Sequence, residues 1–268
     1  MTIHVPPSYD PTRPAPLLIV LHGYSSSGRE HDAYFHLGDA AARRGFIYAY
    51  PDGTVDSAGY RFWNATDACC DFDRSGVADV DYLASVIKAV RSTLAVDPKR
   101  IDLIGHSNGG FMSYRMACDH ADLIAAIVSL AGETFANAAD CRPSAPVAVL
   151  QIQGTADDVV TFTGGTIEGI GAPGGRMAPY PGAAKTVSNW VTYDGCAAVP
   201  STLAQRVDVD ADLSDGSQPA EAVVTRWATC RPGGAVELWT IPDGGHGPNI
   251  SSAFPEAVLD FLAAQPKP

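Results

Sequence analysis

Basic side chains are scarce in this chain. Lysine and arginine total 18 against 30 aspartates and glutamates, a formal net charge of −12 at pH 7. Such an acidic balance excludes nucleic acid as an expected partner and disfavours anionic membranes. No apolar run reaches the roughly 18 residues that span a bilayer, so no membrane association is expected. The first residues, Met1–Val5, lack the basic region and apolar segment of a signal peptide. No Cys-x-x-Cys pair occurs, and no histidine lies at zinc-site spacing from a cysteine, which argues against a structural metal. Internal repeats and domain linkers are also missing.

What is present suits a globular enzyme. The 268 residues are 46 % hydrophobic and 18 % charged, enough for one large α/β domain with a substantial core and short for two. The six cysteines, Cys69, Cys70, Cys118, Cys141, Cys196 and Cys230, form an even set. Three disulfides are expected, and with them an oxidising, extracellular location.

Strand-like and helix-like segments alternate along the chain. Leu17–Leu21 is a continuous apolar run, as in a strand buried on both faces. A helix is predicted over 30–44 and a strand over 46–50. Between Asp79 and Leu94 the residues Val80, Leu83, Ile87, Val90 and Leu94 share one helical face. Strands follow at 101–104, 125–130, 147–152, 222–229 and 236–241, and a last helix begins near Pro255, a residue suited to a first turn. This order predicts a mainly parallel sheet with helices on both faces, in a single domain spanning 1–268. Active sites in such folds lie beyond the carboxyl ends of the strands. Two long segments, at about 53–76 and 161–185, break the alternation and are predicted to be loop insertions, functional or disordered.

The motif that carries chemistry is Gly105-His-Ser-Asn-Gly109, placed between a strand and a helix. A sharp strand-to-helix turn would expose the Ser107 hydroxyl above the sheet, and a Cβ at Gly105 or Gly109 would clash across it. A serine nucleophile needs a base and an orienting acid. Two later strands are followed by Gly154-Thr-Ala-Asp-Asp158 and by Pro242-Asp-Gly-Gly-His246. The predicted catalytic set is Ser107, Asp157 and His246, in the chain order nucleophile, acid, base, with Asp158 competing for the acid. The tetrahedral oxyanion needs N–H donors. The backbone N–H of Asn108 is one; the other is assigned to Tyr24 in the loop His22–Gly28, with Ser25 next. His106 is expected to shape the pocket or pack below it, and His22 to hydrogen-bond loops.

Several further motifs stand beside these. Leu-His-Gly at 21–23, Phe62-Trp-Asn-Ala65 ahead of Cys69-Cys70, Val96-Asp-Pro-Lys-Arg100, Gly-His-Ser-Asn-Gly-Gly at 105–110 and Gly244-Gly-His246 occur in one chain. Together they resemble the extracellular polyhydroxybutyrate depolymerase/feruloyl esterase group of α/β-hydrolases, relatives of esterase D and acetylxylan esterases. The resemblance covers about residues 2–263. It implies an α/β-hydrolase fold and cofactor-free hydrolysis of carboxylic esters through an acyl-enzyme. It also implies a Cys196–Cys230 bond. Cys69 and Cys70 are adjacent, and are expected to reach Cys118 and Cys141 rather than each other. Gln153, Thr161-Phe162 and Gly247-Pro248 depart from the group's pattern, and all are expected near the acyl or leaving-group pocket.

The expected protein is therefore a secreted serine esterase acting as a monomer on feruloyl-type aromatic esters or polyhydroxybutyrate-like polyesters. Acyl transfer by the same triad and acetylxylan esterase activity are the alternatives. Tyr24, Trp63, His106, Phe162 and Tyr180 are the expected substrate contacts, the aromatic rings forming a stacking-capable cleft.

Overall fold

The computed structural model of the protein describes residues 1–167, 178–213 and 220–268. The chain opens with strands β1 (Thr2–His4) and β2 (Ala15–Leu21), helices α1 (Gly28–Phe35) and α2 (Leu37–Arg43), and strand β3 (Ile47–Tyr50). A small hairpin, β4 (Thr54–Val55) and β5 (Arg61–Phe62), precedes helix α3 (Asp79–Thr93), strand β6 (Val96–His106) and helix α4 (Asn108–Asp119). Strands β7 (Ala126–Leu130) and β8 (Ala148–Gly154) lead to helix α5 (Ala183–Tyr193). Strands β9 (Ser201–Thr202), β10 (Val223–Trp227) and β11 (Val236–Ile241) and helix α6 (Phe254–Ala263) complete it.

Among the described residues, nine strands form one sheet in the order β1-β3-β2-β6-β7-β8-β11-β10-β9. The central strands from β3 to β11 are parallel, and β1, β10 and β9 pair antiparallel at the edges. The continuous apolar runs serve two cores. From β2, Leu17, Ile19 and Leu21 pack towards one face with residues of α3, α4 and α5. Leu18 and Val20 pack towards the other with α1, α2 and α6. A strand side chain alternates faces along the pleat, so burial on both sides selects apolar residues at every position. Because β2, β6, β7, β8 and β11 run parallel, the loops after them all emerge at one edge of the sheet.

The local differences from expectation have local causes. The helix expected over 30–44 is two helices, broken at His36, whose φ of 52° lies in the left-handed region. The strand expected at 101–104 extends over Val96–His106. Helix α5 was not expected, because the Gly- and Pro-rich stretch before it masks its start; its buried Val187, Trp190 and Val191 follow helical spacing.

The disulfides require one correction. Cys196 bonds Cys230, as the resemblance implied. The other two pairs are Cys69–Cys70 and Cys118–Cys141, so neither adjacent cysteine reaches Cys118 or Cys141. The end of α4 faces the segment around Ala138–Asp140, and this brings the Cα atoms of Cys118 and Cys141 to 5.1 Å. Cys69 and Cys70 are buried in the 53–76 segment and have only each other.

Candidate active site

β6 ends at His106 and α4 begins at Asn108, so the whole reversal falls on Ser107. Its φ of 53° and ψ of −120° are unusual for a residue with a Cβ and cost on the order of 1–3 kcal/mol. The surroundings enforce it. The Ser107 N–H donates to the Leu130 carbonyl at 2.8 Å, and the Phe111 N–H donates to the Ser107 carbonyl at 3.0 Å. A Cβ on Gly105 would lie 2.1 Å from the Gly109 carbonyl, and one on Gly109 2.1 Å from the Leu21 carbonyl oxygen. Both glycines are thus needed for contact across the turn. The Ser107 side chain makes no capping bond to α4.

The two loops predicted to carry the acid and the base are stitched together. Gly154, at the end of β8, sits so close to the loop after β11 that a Cβ on it would meet the Gly244 oxygen at 2.2 Å. The Ala156 N–H donates to that same carbonyl at 2.9 Å. This brings His246 Nδ1 to 2.9 Å from Asp157 Oδ2 and 3.1 Å from Oδ1. Asp157 is buried, and its Oδ1 also accepts the N–H groups of Val159 (2.9 Å) and Val160 (2.8 Å). Asp158 is exposed. With Nδ1–H donating to the carboxylate, Nε2 of His246 keeps its lone pair. No hydrogen bond joins the Ser107 hydroxyl to the imidazole among the described residues, a usual state for such a pair without substrate.

The loop after β2 discriminates between the two N–H groups predicted there. The Ser25 N–H donates to the Arg61 carbonyl at 2.9 Å, and the Gly23 N–H to His31 Nε2 at 3.1 Å. The Tyr24 N–H has no protein partner among the described residues. Asn108 occupies the first position of α4, where a backbone N–H has no partner within the helix.

A model of the alpha/beta hydrolase family matches residues 18–261. The chain belongs to that family. Among curated relatives, feruloyl esterase B of Piromyces equi is 30% identical over 247 residues, covering 91% of this chain and 42% of the relative. The bifunctional acetylxylan esterase/xylanase XynS20E of Neocallimastix patriciarum is 24% identical over 249 residues, covering 93% and 31%. The chain spans less than half the length of either. Among solved structures, the acetyl xylan esterase from Aspergillus awamori superposes with a TM-score of 0.65 at 15% identity, covering 97% of this chain and 92% of that one. This last likeness concerns the fold.

Within this α/β-hydrolase, some expected substrate contacts lie elsewhere. Trp63 is fully buried. Its ring N–H donates to the His22 carbonyl at 3.0 Å, and the Asn108 side chain clamps its backbone, Oδ1 accepting from the N–H at 2.7 Å and Nδ2 donating to the carbonyl at 2.9 Å. Trp63 therefore fastens the 53–76 segment to the elbow rather than facing an ester. Tyr180 is also buried, edge-on to Phe111 of α4 at 6.1 Å, with its hydroxyl accepting the Thr161 N–H at 2.9 Å. Phe162 is half-buried against the same core. The expected loop 161–185 lies partly outside the described residues, over 168–177. His22 ties loops as expected: its Nε2 accepts the Gly53 N–H at 2.9 Å, and its Nδ1 is 2.8 Å from the Gly23 carbonyl.

His106 has a polar neighbour at each ring nitrogen. Nε2 is 2.9 Å from the His246 carbonyl, and Nδ1 is 3.2 Å from Nε2 of His31, a residue whose role has no signal in the sequence. Burial, with the facing His246 adding to it, lowers His106 from 6.5 to about 4. Burial, with His106 adding to it, lowers His31 from 6.5 to about 2. The unfolded chain thus takes up protons near pH 6.5 that the folded chain refuses. The stability from these neutral rings is full above pH 6.5 and is lost as pH falls from there through about 4 for His106 and about 2 for His31. Thermal melts between pH 7 and 4 check this. The wild-type Tm is expected to fall more steeply than that of His106→Gln, and parallel curves would remove His106 from the account.

Proposed function

We propose that the protein is a secreted serine esterase that cleaves carboxylic esters through an acyl-enzyme on Ser107. The observation that carries this reading is the bidentate bond of His246 Nδ1 to buried Asp157, beside a serine held at positive φ. His246 Nε2 takes the hydroxyl proton as Ser107 Oγ attacks the ester carbonyl. Asp157 holds the imidazole tautomer and stabilises the imidazolium without itself taking the proton. The N–H groups of Tyr24 and Asn108 receive the oxyanion, near the N-terminal end of α4, which favours negative charge. Collapse returns the proton from His246 to the leaving alcohol. Water, deprotonated by the same imidazole, then releases the acid. No cofactor enters this scheme.

Aromatic esters of the feruloyl type, or polyhydroxybutyrate-like polyesters, are the proposed substrates. The relatives' names agree with the first. So does a cluster of rings beside the oxyanion loop: Tyr24 lies 5.0 Å from Phe72 and 5.8 Å from Tyr60, between ring centroids. Tyr60 is 50% exposed, and no motif in the sequence marks it. Tyr60→Ala is expected to raise KM for methyl ferulate by about three- to tenfold, as loss of one aromatic contact would, and to leave p-nitrophenyl acetate within about twofold. Equal effects on both esters would remove the ring from acyl recognition. Three disulfides without a free cysteine among the described residues support the extracellular location. A monomer is proposed.

The test is a substrate panel with rapid-mixing kinetics. Methyl ferulate, p-nitrophenyl acetate and butyrate, polyhydroxybutyrate film and an aromatic polyester are compared. A burst of one p-nitrophenol per Ser107, followed by slower turnover, is expected from an acyl-enzyme. No turnover of any ester would overturn the proposal, and preferential transfer to an added alcohol would reassign it to acyl transfer.

A further inference from the structure

Gln153 was expected beside the acyl pocket, but its side chain is buried and points at the acid instead. Its Nε2 donates to Asp157 Oδ2 at 2.8 Å and to the Val160 carbonyl at 2.8 Å. With both amide protons used, the orientation of the amide is set, and its Oε1 faces back along β8. There it accepts from Gln151 Nε2 at 3.0 Å. Gln151 Oε1 in turn accepts the Tyr114 hydroxyl at 2.7 Å. Burial, helped by the facing Glu133, pushes the Tyr114 phenol far above its ordinary range, so it remains a donor.

Every donor in this chain points the same way. We infer that Tyr114, Gln151 and Gln153 form a one-directional hydrogen-bond relay, in which Gln153 is a positioning residue that holds Asp157 Oδ2 for His246. The inference rests on the serine-esterase reading above. Two features of the geometry favour it over plain core filling. Gln153 supplies the only side-chain N–H to Asp157 other than His246 among the described residues. The relay also begins at Tyr114 on α4, the helix that follows Ser107, so it ties that helix to the acid through side chains as well as through the sheet. Aligned donors polarise one another, and the effect is greatest where water is excluded. The titratable groups facing the carboxylate are His246, His106 and Glu133. Burial raises Glu133 to about 8, so it adds no charge below neutral pH.

Gln153→Met keeps length and removes the amide, and Gln153→Glu keeps shape and sets a carboxyl against Asp157. With p-nitrophenyl acetate, and kcat expressed per serine titrated by a fluorophosphonate, Gln153→Met is expected to lose about 10- to 100-fold in kcat with KM within threefold. That pattern marks an interaction used in the transition state. Gln153→Glu sets a second buried carboxyl against Asp157, and burial with the facing like charge keeps one proton on the pair. That proton donates to Asp157 in place of the amide, so kcat/KM is expected to stay within about tenfold of wild type at acidic pH and to gain an alkaline limb as the proton is lost. Tyr114→Phe, which shortens the relay at its far end, is expected to lose about three- to tenfold in kcat and decides the matter if the Gln153 variants do not fold. Unchanged kcat per titrated serine in Gln153→Met, with no new pH limb in Gln153→Glu, would overturn the relay. Wild-type protein that neither titrates nor turns over the ester would instead overturn the esterase reading itself.

Discussion

Ser107→Ala is expected to lower kcat on p-nitrophenyl acetate by about 10⁶-fold, the usual cost of removing a triad nucleophile, with no loss of folded structure. The serine hydroxyl makes no bond to the helix that follows it, so its removal breaks no capping contact. The strained φ of 53° remains in the alanine variant. Ser107→Gly, which tolerates that backbone, is expected to melt above Ser107→Ala while being equally inactive. Circular dichroism melts and initial rates on the two proteins check both statements. Activity within tenfold of wild type in folded Ser107→Ala would remove this residue from the chemistry.

Asp157→Asn is expected to cost about 10⁴-fold in kcat, because an amide in place of the carboxylate favours the wrong imidazole tautomer. Asp158→Asn is expected to remain within a few-fold of wild type. The contrast follows from placement. Asp157 is buried and receives His246, Gln153 and two backbone N–H groups, whereas Asp158 is exposed one residue away. Rates measured for the pair decide which carboxylate is the acid, and reversed losses would assign the role to Asp158.

The parts of this protein that were legible in its sequence are those that local chemistry determines. Leu17–Leu21 could only be a strand buried on both faces, and the structure divides its side chains between two cores. Gly105 and Gly109 announce a turn with no room for a Cβ, and the contacts they avoid are backbone contacts at 2.1 Å. The order of Ser107, Asp157 and His246 follows from three loops that leave parallel strands at one edge.

The parts that were not legible depend on what a side chain meets far along the chain. Trp63 sits in a long segment whose composition suits a cleft or a core equally, and its position is decided by Asn108 and His22, 45 and 41 residues away. Tyr180 is drawn inward by Phe111 and the Thr161 N–H in the same way. The adjacent Cys69 and Cys70 pair because Cys118 is already met by Cys141, a proximity with no sequence pattern. His31 looks like an ordinary helix residue and Gln153 like a pocket residue, until the loops after β2 and β8 close around them and turn Gln153 to the acid.

Covalent labelling with a fluorophosphonate, followed by peptide mapping, tests Ser107 as the nucleophile. Such a reagent phosphonylates a serine only where a base takes the proton and an oxyanion site receives the new P–O⁻ group. One adduct per chain is expected, on Ser107, with ester hydrolysis lost in step with labelling and neither event in His246→Ala. Complete inactivation with the adduct on another residue, or an unlabelled Ser107 in a protein that still hydrolyses esters, would contradict that role.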